Sequence, residues 1–76
     1  MRFAMAEIQM LAVVALLEDV PAKGLLRGQL GTVVESLAPG EFEVEFSDDS
    51  GQTYASLALR SDQLMLLHHE PSHQAA

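Results

Sequence analysis

The 76-residue chain has no cysteine and no tryptophan, a single tyrosine and only four basic residues. Each shortage removes a class of protein. Without cysteine there is no disulfide framework and no thiolate metal site, so a small fold has to rest on packing or on a second subunit. With four Lys and Arg against eleven Asp and Glu, a formal net charge of −7, the chain repels a phosphate backbone, and nucleic acid is disfavoured as a partner. Aromatic residues make up 5% of the chain, too few to build stacking platforms for bases.

Long hydrophobic runs are also missing. The longest, Met10 to Leu17, falls short of the roughly 20 residues that span a bilayer, so no membrane partner is expected. Arg2 ahead of it and the small Ala22 beyond it outline a secretory signal. Against that reading, Glu7 precedes the run, Glu18 and Asp19 close it, and cleavage would remove a strand the fold needs. The expected location is the cytoplasm.

What remains is an apolar fraction of 49%, which excludes wholesale disorder and supplies one core of Leu, Val, Ala, Met and Phe. A chain this short forms one domain, burying about 60% of its unfolded surface. Residues 1–10 read as a lead-in with helix-compatible composition, 11–67 as the folded domain, and 68–76 as a polar tail with little to bury. The continuous run from Leu11 to Glu18, with Val13 and Val14 and a stop at Val20-Pro21, favours a strand. A loop with Gly24 and Gly28 follows. With Gly31, these form a structural corner, supplying positive φ or close backbone approach. A second strand runs from about Gly31 to Ser36 and ends at Ala38-Pro39-Gly40.

The clearest periodicity is Glu41-Phe42-Glu43-Val44-Glu45-Phe46, three apolar side chains on one face and three glutamates on the other. Ser47 to Gly51 then makes a polar turn into a hairpin partner from Gln52 to Leu59, with Leu57 and Leu59 inward. Ser61 or Asp62 is placed to cap one helical turn near Ser61–Gln63, before a short closing strand from Leu64. The expected core is Val14, Leu16, Val33, Phe42, Val44, Phe46, Leu57, Leu59 and Leu64. Five short strands with turn signals between them predict an all-β fold, a small antiparallel barrel or strongly bent sheet.

No motif for catalysis or cofactor binding is present. The glycines of the corner open into a valine-rich strand, not a helix, which removes a phosphate cradle. His68, His69 and His73 share the tail, without the rigid surroundings that orient metal ligands. Glu41, Glu43 and Glu45 are spaced roughly 7 Å apart along a strand, a separation seen in glycosidase pairs. Yet an acid and a base need different environments, and these three are alike. Ser47, Ser50, Ser56 and Ser61 have no nucleophile-elbow flanks and no histidine within the domain. The expectation is a non-enzyme without cofactor or metal.

Several blocks in order, Val13 to Pro21, Gly24-Leu25, Gly28-Gln29-Leu30-Gly31-Thr32-Val33-Val34-Glu35, Phe42 to Phe46, Asp49-Ser50-Gly51-Gln52-Thr53 and Asp62-Gln63-Leu64, resemble domain-of-unknown-function family 4926. The resemblance implies an SH3-like β-barrel of a short bacterial protein, some relatives of which look like the small partner in toxin and antitoxin pairs. Relatives often carry Asp between the glycines where this chain has Gln29, so a role resting on that carboxylate does not carry over. The expected function is a protein-interaction module whose acidic face, Glu41, Glu43 and Glu45, docks onto a basic protein. Two alternatives stand beside it. One is a homo-oligomer joined through a strand edge or through Leu64 to Leu67. The other is nucleic-acid binding through Lys23 and Arg27.

Overall fold

A computed structural model describes residues 8–68. Five strands run β1 (Val13–Leu16), β2 (Leu30–Ala38), β3 (Glu41–Ser47), β4 (Thr53–Arg60) and β5 (Leu64–Leu66), with short 3-10 turns at Pro21–Lys23 and Ser61–Gln63. They form one antiparallel sheet in the order β4-β3-β2-β1-β5. The fold is all-β, as the turn spacing predicts. The sheet is open, because the ladder joins neither edge strand, β4 or β5, to the other.

Alternation decides which face becomes core. Val14, Leu16, Leu25, Val33, Phe42, Val44, Phe46, Leu59 and Leu64 form a single buried cluster drawn from all five strands and, through Leu25, from the loop before β2. Among the described residues no α-helix covers that cluster, so the sheet has to bend over its own apolar face. Register shifts in the β2–β3 ladder at Val33/Glu35 and Ser36/Ala38, and in the β3–β4 ladder at Phe46/Ser47, supply local bends of the kind that bulges introduce. Thr53 and Ala55 pair with Ser47 and Phe46, which leaves Tyr54 as the extra residue. Its hydroxyl meets the Gln29 amide nitrogen, tying the start of β4 to a loop 25 residues earlier.

Two sequence expectations need correction. Leu57 is only half-buried and packs against the core from its margin, because β4 is an edge strand with no second ladder partner among the described residues. The 3-10 turn at Ser61–Gln63 has no cap from Ser61 or Asp62. Instead Gln63 accepts from the Arg60 backbone N–H at 2.8 Å and donates to Glu18 at 3.0 Å. Leu25, read as loop, is fully buried. It gets there because Val20 and Leu25 exchange backbone hydrogen bonds of 2.9 and 3.1 Å around the Pro21–Lys23 turn.

The three corner glycines work in two ways. Gly24 closes that turn at φ +70° and Gly28 sits at φ +91°, left-handed conformations that a Cβ disfavours. Gly31 lies within β2, and a Cβ there would come within 2.7 Å of Val44 Cγ1 and 2.8 Å of the Phe46 ring. It is glycine for want of space.

Candidate protein-binding face

Glu41, Glu43 and Glu45 alternate with the buried Phe42, Val44 and Phe46 along β3, so the strand that anchors the core also presents the carboxylates outward. Glu43 accepts a hydrogen bond of 2.6 Å from Ser56 Oγ, and Glu45 a longer one of 3.4 Å from Thr53 Oγ1. On the other side, β2 adds Glu35, whose register partner is Glu43. Like charges directly opposite one another destabilise a sheet, so this row works against folding unless something cationic meets it.

Among the described residues no cation is ion-paired to this row. Arg60 is the register partner of Glu41, but its Nε pairs with Asp62 Oδ1 at 3.1 Å, the one ion pair among the described residues. Both side chains of that pair are well exposed, so it contributes at most about 1 kcal/mol. Lys23 and Arg27 lie in the corner loop, where the Arg27 backbone N–H donates to Asp19 Oδ1 at 2.7 Å. An acidic carboxylate therefore sits at the backbone of Arg27, one of the two residues that a nucleic-acid reading would use.

Beside the glutamates, Val13, Leu30, Gly31, Thr32, Glu45 and Ser47 line a recess of about 180 Å³. Small-molecule sites usually enclose about 300 Å³ or more, and Glu45 is the one ionisable group in this lining. Among the described residues no three His, Cys, Asp or Glu side chains are grouped to hold a metal ion. His68 is exposed, whereas His69 and His73 lie outside the described residues. No described helix is long and apolar enough to cross a membrane.

A second acidic feature, which periodicity does not single out, is the turn after β3. Asp48 Oδ1 accepts from Ser50 Oγ at 2.7 Å and from the backbone N–H groups of Ser50 and Gln52 at 3.0 Å each. The Ser50 hydroxyl first, then the Gln52 N–H, hold its carboxyl below the ordinary carboxylate range, with desolvation opposing them and the Ser50 N–H adding a smaller lowering. Gly51 completes the turn at φ +84°. The turn residues Asp, Ser and Gly are the visible signal, and their role here is to set the β3–β4 register.

The family described as Domain of unknown function (DUF4926) matches residues 10–66, which span β1 to β5, and the chain belongs to that family. No curated protein and no solved structure matches the chain significantly.

Proposed function

We propose that this member of a family described only as a domain of unknown function is a non-enzymatic protein-interaction module that docks its acidic sheet face onto a basic protein. The carrying observation is that Glu35, Glu41, Glu43 and Glu45 share neighbouring strands with a single cation beside them, Arg60, which also pairs with Asp62. A basic surface would relieve that repulsion and be steered toward it. An antitoxin-like or inhibitory role toward a basic protein fits this charge and the small size. A cytoplasmic location suits a chain without cysteine.

The test is capture of partners by the tagged protein, compared with a variant carrying Glu41→Gln, Glu43→Gln and Glu45→Gln together. The expected result is a stoichiometric basic partner whose affinity falls at least about tenfold in the variant and weakens with salt. Equal capture by both proteins refutes the acidic face.

A second reading is self-association. Leu30, Ala15 and Met65 stand side by side on β2, β1 and β5, and Leu30 and Met65 are about half exposed. This apolar row would be the contact in a homo-oligomer, and a sedimentation series of the wild type against Leu30→Ser separates the two readings.

A further inference from the structure

The two edges of the sheet are unlike. β5 is three residues long, which blunts its edge, whereas β4 runs for eight residues from Thr53 to Arg60. From Thr53 to Leu59 it carries no charge and no proline, and its one bulge lies at the start, at Tyr54. Proteins protect long edges with charge, proline, central bulges or a covering element, because alternate N–H and C=O groups there point outward unpaired. Among the described residues β4 has no ladder partner except β3. The half-buried Ala55 and Leu57 mark where the core-facing surface stops without a neighbour.

We infer that β4 is a strand-addition site, taking an extended partner segment that alternates apolar residues with Arg or Lys. This rests on the acidic-face reading and specifies how the basic partner engages it. An added strand would pair its backbone with the outward groups of β4, the mode in which main-chain bonds give affinity and alternate side chains give specificity. Its apolar residues would lie beside Ala55, Leu57 and Leu59 and extend the core. Its basic residues would lie on the other face, beside Ser56 and Ala58.

Small side chains at those two positions matter. Ser56 is the register partner of Glu45, and Ala58 of Glu43. An added strand is therefore two strand spacings, about 10 Å, from the glutamate backbone. With only a hydroxymethyl and a methyl group in between, a long cationic side chain can lie across β4 to the carboxylates, its stem on apolar surface and its head charged. A second copy is the poorer occupant. Joining two β4 edges would lay two glutamate rows in one continuous sheet, on the order of 15 Å apart, and the second copy's β4 would bring only Arg60 as a cation, whereas an Arg- or Lys-bearing segment brings several.

The experiment uses the full chain, isotope-labelled for amide detection, with two synthetic ten-residue probes. One alternates arginine and valine. The other has the same charge but carries prolines in place of two central valines, which removes its strand pairing. The expected result is slowed hydrogen exchange at alternate amides of Thr53 to Arg60 with the first probe, and at least about tenfold weaker binding of the second. Equal affinity of the two probes overturns strand addition while leaving the acidic face intact. Binding of neither overturns both. Protection of β4 without peptide, together with a dimeric sedimentation mass, overturns the inference in favour of a second copy.

Discussion

Replacing Gly31 with alanine adds one methyl group where β2 crosses the core. The new Cβ would stand 2.7 Å from Val44 Cγ1 and 2.8 and 3.0 Å from two carbons of the Phe46 ring. Neither neighbour can yield cheaply. Val44 and Phe46 are both fully buried, one is β-branched and stiff at χ1, and a close-packed interior has no void to receive a displaced ring. Overpacking of this kind costs about 1–3 kcal/mol. A 76-residue domain has a total stability of about 4–11 kcal/mol, so the loss is a large fraction of the whole. Thermal unfolding followed by circular dichroism should show the midpoint falling by about 4–24 °C.

The double variant Gly31→Ala, Val44→Ala isolates the cause. Removing Val44 Cγ1 frees the closest contact, so alanine at 31 should cost less in that background, with a coupling of about 0.5 kcal/mol or more. Gly28→Ala is the contrast. At φ +91° with nothing within 4 Å of its Cβ, its cost of about 1–2 kcal/mol is backbone strain and should not change with Val44→Ala. A Gly31→Ala protein within about 0.5 kcal/mol of wild type, the ordinary range of surface changes, refutes the packing argument and the placement of Val44 and Phe46 behind β2.

Two further outcomes follow from the same core and turn. Phe46→Ala empties a fully buried site and should cost about 3–5 kcal/mol, read as the difference in unfolding free energy from chemical denaturation; a loss under about 0.5 kcal/mol, the range of surface changes, would mean the faces of β3 are reversed. For Asp48 the folded carboxyl titrates below its ordinary value, so its stabilisation is complete above the unfolded pKa and is lost as pH falls through the folded one. Chemical denaturation from pH 6 to pH 2 should therefore show a shallower acid loss in Asp48→Asn than in wild type, and parallel curves would show that the turn carboxylate is not linked to folding.

Much of the candidate face was legible before the fold. The alternation from Glu41 to Phe46 assigns each side chain to a face because strand periodicity is two and burial penalises charge, so the core triad and the glutamate row come from one six-residue pattern. What the pattern could not supply is neighbours. That Glu35 lies opposite Glu43, and that Ser56 and Ala58 separate the glutamates from an open edge, depends on register. Register in turn is set jointly by the alternation that buries one face, by the bulges and by the Asp48 turn, and no single residue's hydropathy names its cross-strand partner.

By itself the sequence determined the strand set, the polarity of β3 and the acidic balance, all of which follow from local composition and period. Tertiary structure alone decided the rest. Leu25 and Leu26 are alike in sequence, yet Leu25 is fully buried and Leu26 exposed, because the Val20–Leu25 bridge folds Leu25 inward. Leu57, apolar and in phase with Leu59, stays half-buried because β4 happens to be the last strand. Burial is a property of what packs on a residue from distant parts of the chain, and a local period states the direction a side chain takes without stating what it meets there.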